Sequence, residues 1–245
     1  MANMHMLWNN LHPDATVTAS SADADWPVSY LKLYWPTLTH RTTGIASEWW
    51  KWDLGAPTQV RYFILWNHNF TSGATLTLQA NTSDSWGAPA YSTAVTRYSG
   101  FVIAAINQTY QWWRLVVADA GNGDGYLKAG YAYLGGYFAP TYGYTNRTCS
   151  LVDPSIIAAS ADGQFSAAQH TQYKELGYEF AAVLDADRST LETIWASIGT
   201  YKPHFIVETP SDLGRTYYVR NISPWPFEPV HSGIWAWSFQ TETMR

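Results

Sequence analysis

Six residues early in the chain are of types that can stack on or hydrogen-bond a ligand: Trp26, Tyr30, Tyr34, Trp35, Arg41 and Trp86. A flat aromatic ring covers the apolar face of a pyranose, and a guanidinium, amide or carboxylate takes its hydroxyls. These residues fall in three stretches that read as loops, 26–35, 40–44 and 81–90. The competing reading packs Trp26 and Leu31 into the core and Trp86 beneath its own loop, since large aromatics are mostly buried.

Other reactive side chains do not assemble into a recognisable centre. His68 lies between Asn67 and Asn69 without a second histidine at ligand spacing, and zinc needs three or four converging ligands. A structural hydrogen-bonding role is expected for it. The run Ala-Gly-Asn-Gly-Asp-Gly at 120–125 offers Asn122 and Asp124, too few oxygens for calcium unless carbonyls join them, and it reads first as a turn. No cofactor is expected, with a structural calcium there as the open alternative. Hydrolysing a glycosidic bond takes two carboxyls facing each other across it. Asp23, Asp25, Glu48, Asp53, Asp84, Asp119 and Asp124 are available but form no recognisable pair. The G-x-S-x-G, phosphate-loop and H-E-x-x-H patterns are absent as well, so no catalytic residues and no enzymatic activity are expected. Cys149 is the single cysteine, which excludes an intramolecular disulfide.

Composition sets the frame. Charged residues make up 13% of the 245, with a net charge of -5, and no Lys/Arg cluster exists to displace counterions from a nucleic acid. The opening MANMHMLWNN lacks the basic stretch and apolar run of a secretory signal, and no long apolar segment is present, so neither export nor membrane insertion is expected. Aromatic residues reach 16%. That much Trp and Tyr with so little charge suits sugar stacking, extensive protein contact, or both.

The positioning elements read as short strands divided by Gly, Pro, Asn and Asp, at 15–20, 49–54, 60–66, 75–80, 101–105, 111–118 and 127–138. Such a series predicts a sandwich or barrel over 1–138. Residues 139–150 lack periodicity and read as a linker. Beyond it, strands are expected at 172–184, 203–208, 216–222 and 233–242. One helix at about 187–198 carries Leu191, Ile194, Trp195 and Ile198 on one face, with Asp187 or Ser189 as N-cap and Gly199 as terminator. The expected fold class is mainly β: a sandwich, then a smaller antiparallel α+β domain at 151–245.

Landmarks of the first half occur in a telling order: Ala19-Ser20-Ser21, Trp26-Pro27-Val28, Glu48-Trp49-Trp50-Lys51-Trp52-Asp53-Leu54-Gly55, Leu65-Trp66-Asn67-His68-Asn69 and Trp112-Trp113-Arg114-Leu115-Val116-Val117. This order resembles the discoidin-like family, the coagulation factor 5/8 C-terminal domain. The resemblance implies a jelly roll that binds ligand, often glycan, with loops at one end, and it is this that makes the stretches 26–35, 40–44 and 81–90, with Trp26, Tyr30, Tyr34, Trp35, Arg41 and Trp86, the candidate sugar site. The disulfide of many members cannot form here.

The second half resembles the ring-forming domain of tailed-bacteriophage distal tail and minor tail proteins. The resemblance rests on Asp153-Pro154-Ser155, the strand at 173–184, the helix, Lys202-Pro203-His204-Phe205-Ile206-Val207, Tyr217-Tyr218-Val219 and the final strand at 234–242. It implies a virion tail-tip or baseplate protein assembled in the host cytoplasm, joining itself as a ring of three or six, other tail proteins, and a cell-surface glycan. Trp225, Phe227, Trp235 and Trp237 are the expected assembly residues, because this half has more large rings than so short a domain needs for its core. The alternative is a stand-alone lectin with a C-terminal dimerisation domain.

Overall fold

The computed structural model describes residues 3–35, 37–159 and 162–244. The chain forms two units, one of residues 9–137 and one of 1–8 with 138–245. Its strands in order are β1 (His5–Leu7), β2 (Thr16–Ala19), β3 (His40–Arg41), β4 (Glu48–Trp66), β5 (Thr75–Asn81), β6 (Tyr91–Ala94), β7 (Thr96–Arg97), β8 (Phe101–Ala118), β9 (Lys128–Ala129) and β10 (Ala132–Gly135). Then come β11 (Asn146–Val152), β12 (Ile156–Ala159), β13 (Phe165–Ala168), β14 (Tyr173–Leu184), helix α1 (Asp185–Ile198), β15 (His204–Val207), β16 (Thr216–Asn221), β17 (Phe227–His231) and β18 (Ile234–Thr243).

Two long bent strands build the unit 9–137. β4 and β8 pair antiparallel along most of their length, with register shifts between Asp53 and Thr58 and between Val60 and Tyr62. Before the first shift they are flanked by β2 and β5, and after it by β10 and β7. The bend lets both halves of β4 face one core. Trp52 meets Phe63 edge-on at 5.5 Å between ring centres, although a straight strand would hold them roughly 35 Å apart. Trp50, Trp52, Phe63, Leu65, Leu78, Val102, Trp113, Leu115 and Val117 fill the space between the two layers. Gly55, with φ of +76°, makes the corner, where a side chain would be strained. The expected strands 49–54 and 60–66 are thus halves of one, as are 101–105 and 111–118. Leu54-Gly55-Ala56-Pro57 reads as a break because a bulge uses the same residues as a turn.

The other unit is a seven-stranded antiparallel sheet in the order β1-β15-β16-β18-β14-β11, with β17 beside β18. Leu191, Ile194 and Ile198 of α1 are buried with Leu176, Tyr178, Phe180, Val183, Trp237 and Phe239 of the sheet. The helix starts at Asp185, two residues earlier than expected, and neither predicted cap forms. Asp187 instead accepts the Thr141 N–H at 2.8 Å. Gly199 does end the helix, with φ of +49° and its N–H donated to Trp195 O at 2.8 Å.

The fold class is as expected, but the boundaries differ. Residues 4–8 belong with the second unit, where β1 pairs with β15 and Met4 and Met6 are fully buried. The expected linker contains most of β11, which pairs with β14 from Asn146↔Glu179 to Val152↔Tyr173. It hides in the sequence because an edge strand in water carries polar side chains and no alternating pattern.

Candidate functional site

Register decides which loops share an end of the sandwich. β2 ends at Ala19 opposite Trp50, and β5 begins at Thr75 opposite Ala118, the last residue of β8. The segments 20–47, 67–74 and 119–127 therefore gather at one end. Segment 82–90 leaves from the other, because β5 finishes at Asn81 opposite Trp112.

At the first end, a 3-10 turn at Val28–Lys32 drives Leu31 into the core. His12 and the Leu31 carbonyl meet at 2.6 Å, and the opposite ring nitrogen of His12 accepts the Trp52 indole N–H at 2.7 Å. β3 pairs with β9, which fixes Arg41 opposite Lys128. The Arg41 guanidinium lies 3.8 Å from the Trp26 ring centre and 4.6 Å from that of Tyr126. Tyr30 packs edge-on against Trp26 at 6.5 Å. Arg41 Nε is buried and, among the described residues, has no hydrogen-bond acceptor.

The neighbouring loops are tied by their own hydrogen bonds. Asn69 donates to Asp124 Oδ2 at 2.8 Å and to Tyr126 O at 3.0 Å, and accepts the Lys128 N–H at 2.7 Å. Asp119 accepts from the Thr71 backbone and hydroxyl and from the Asn122 amide. Burial opposes the charge on Asp119, but these bonds outweigh it and hold its carboxyl below the usual range. The calcium candidates are committed to the same network. Asn122 turns its nitrogen towards Asp119 and Asn69 O, while its oxygen accepts the Asp124 N–H. Asn122 and Asp124 therefore do not fit as a converging set of oxygen ligands. Among the described residues no group of three or more His, Cys, Asp or Glu side chains could hold a metal ion.

Of the six predicted sugar residues, Trp26, Tyr30 and Arg41 come together. Tyr34 and Trp35 form a separate stacked pair, 5.9 Å between centres, with Trp35 59% exposed. Trp86 belongs elsewhere. Its indole donates to Asp84 at 2.6 Å, and Arg114 lies 4.4 Å over its ring. Lys51 joins that group through Asp84 at 2.7 Å and lies over Trp49 and Trp112. All of this sits on the outer side of β4, β8 and β5, where Lys51, Arg114 and Gln79 form one row. Sequence reasoning missed this face, although strand alternation that turns Trp50, Trp52 and Trp113 inward must turn Trp49, Lys51 and Trp112 outward. It also missed Tyr126, which no spacing links to Arg41; only the β3–β9 pairing does.

His68 is structural. It stacks on Phe70 at 4.5 Å, accepts the Phe70 N–H and contacts Tyr98 O, and burial lowers its pKa. Of the expected assembly aromatics, Trp225 and Trp237 need correcting: they are 7% and 2% exposed, inside the core, whereas Phe227 and Trp235 pack against it half-buried. Trp235 also donates to Asp185 at 2.6 Å under the Arg188 guanidinium. The second unit needs these rings because its sheet has one helix to cover it.

No family model matches the sequence, and no curated protein matches it. Among solved structures the chain is similar to chitosan-binding module 1 of a chitosanase/glucanase from Paenibacillus sp. IK-5, with 24% identity over 52% of this chain and 99% of that one and a TM-score of 0.41. It is also similar to a Streptococcus pneumoniae fucose binding module, with 13% identity over 51% and 94% and a TM-score of 0.43. A third is the family 32 CBM from C. perfringens NanJ in complex with galactose, with 10% identity over 55% and 99% and a TM-score of 0.42. These neighbours are carbohydrate-binding modules.

Proposed function

We propose that this protein is a non-catalytic glycan-binding protein that engages sugar through Trp26, Tyr30, Arg41 and Tyr126 and self-associates through its second unit. One observation carries the sugar reading: a partly exposed guanidinium lying over two partly exposed aromatic rings at a loop end. Its outer N–H groups can donate to sugar hydroxyls, while the ring surface left open beside it covers a C–H face. Self-association would multiply weak single-site affinity into avidity.

The setting follows from the resemblance of the second half. A phage tail tip or baseplate, assembled in the host cytoplasm, is one; a free multivalent lectin is the other. Particle mass separates them, since a tail component joins larger assemblies and a lectin forms small closed oligomers.

The test is a glycan array followed by titration calorimetry on the best ligand. Arg41→Ala and Trp26→Ala should each weaken binding at least tenfold, and Trp86→Ala, at the other end, should leave it unchanged. An array with no signal, or equal binding by all three variants, removes the assignment.

A further inference from the structure

The β11–β14 hairpin outgrows its sheet. β18 follows β14 no further than Glu175↔Glu242, yet the hairpin runs on through Val152↔Tyr173 and, after a slip of register, through β12 and β13. Among the described residues, no side chain of that distal arm joins the buried core of its unit. Ile156, Ile157 and Phe165 are 63%, 71% and 79% exposed, and Leu151 at its base is 68% exposed. Ile157 and Ala167 lie opposite each other, and Phe165 shares their face. A lone two-stranded hairpin is marginal in water, and an uncovered apolar face makes it worse.

The base of this arm is also an open sheet edge. Among the described residues, β11 pairs only with β14. The opposite margin is short: β1 spans three residues, and Met6 is bridged on both sides of its peptide to Phe138. β17 carries Pro229, which has no N–H to offer. β11 has seven residues, no proline or glycine, and a single charged side chain. Arg147 lies against the buried carboxylate of Glu208, which it shares with Arg215, so its charge is partly compensated. An edge with one partly compensated charge meets its own copy with little repulsion, and among the described residues the sheet offers no second long edge for head-to-tail pairing.

We propose that two copies of this chain pair edge to edge, antiparallel, through β11, each covering the apolar arm of the other. This deepens the self-association half of the proposed function and is independent of sugar. Pairing centred on β11 places Cys149 beside Cys149 of the second copy. It also carries each arm past the other copy's Asn146 end, where Thr145, Glu179, Ala181, Pro226 and Ala236 line a cleft of about 300 Å³. Covering Leu151, Ile157 and Phe165 of each copy removes several hundred Å² of apolar surface, and backbone pairing along β11 adds to it.

The experiment is light scattering on the full chain from about 1 to about 100 µM, with thiol crosslinking by a short bis-maleimide. The expected result is a dimer, crosslinked in high yield through Cys149, the only thiol. Leu151→Glu and Phe165→Asp should each halve the mass and abolish the crosslink with an unchanged circular dichroism spectrum. Tyr201→Asp, equally exposed at 68% but away from the edge, should remain dimeric. A monomer throughout the range, or a dimer that neither crosslinks nor responds to Leu151→Glu, overturns the proposal. A crosslinked dimer that binds no glycan supports it and sinks only the sugar reading.

Discussion

Acid should unfold the sandwich unit through two histidines before its carboxylates titrate. His12 and His40 are fully buried, and each accepts an indole N–H, from Trp52 at 2.7 Å and from Trp50 at 2.9 Å. Accepting on one ring nitrogen requires that nitrogen to be unprotonated, so the folded unit holds both rings neutral. Burial lowers both pKa values from 6.5 to about 4. In the unfolded chain both rings protonate near the ordinary value. The stability they contribute is therefore complete above pH 6.5 and is lost as pH falls towards 4. Each shift corresponds to about 3 kcal/mol, and the two together to about 6 kcal/mol, comparable with the whole stability of many domains. Within the window these two histidines contribute a slope of up to about 2.7 kcal/mol per pH unit, two protons' worth, and His68, whose pKa burial also lowers, adds to it. Urea unfolding read by tryptophan fluorescence at a series of pH values from about 7.5 to about 4.5 measures it. His12→Gln with His40→Gln keeps an acceptor near each indole, lowers stability at neutral pH and flattens the profile. A wild-type profile already flat across the window, or a double variant with the wild-type slope, would refute the reasoning.

Packing and charge give further expectations. Gly130→Ala puts a methyl 2.7 Å from Trp66 O and 3.0 Å from Asn67 Cβ, so it should cost about 1–3 kcal/mol and lower the melting temperature of the sandwich unit. Glu208→Ala strands Arg147 and Arg215 and removes the acceptor of the Tyr178 hydroxyl; since Glu208 is fully buried, a loss of about 3 kcal/mol is expected in thermal melts of the second unit. Lys51→Ala breaks an ion pair whose Asp84 side chain is 40% exposed, and should change stability by less than about 1 kcal/mol in the same melts.

Alternation and helical spacing made the cores legible. Trp50, Trp52, Leu115 and Val117 face inward as period two requires, and Leu191, Ile194 and Ile198 are buried as spacing of three and four requires. Leu54 is only half-buried, because the bulge at Asp53 breaks the alternation there. The candidate site was legible in type but not in membership. Trp26, Tyr30 and Arg41 are close in sequence and meet, whereas Trp86 reads alike but leaves from the far end of β5. Loop chemistry indicates a ring and a guanidinium; strand register, a long-range property, decides which of them are neighbours. The same limit misplaced Trp225, since a Trp in a Pro-rich stretch looks the same on a surface as it does under one.

The sandwich interrupts the other unit between β1 and the strands that follow it. Residues 3–8 and 138–159 with 162–244 belong to that host unit, and the guest is bounded by two antiparallel bridges, Met6↔Phe138 in the host and Asn10↔Gly135 in the guest. Entry and exit strands running side by side mean the guest can be deleted and the cut ends rejoined by a tight turn with little rebuilding. A gene with this layout can trade one inserted unit for another by recombination while the scaffold goes on folding. Host and guest are thus free to evolve at different speeds.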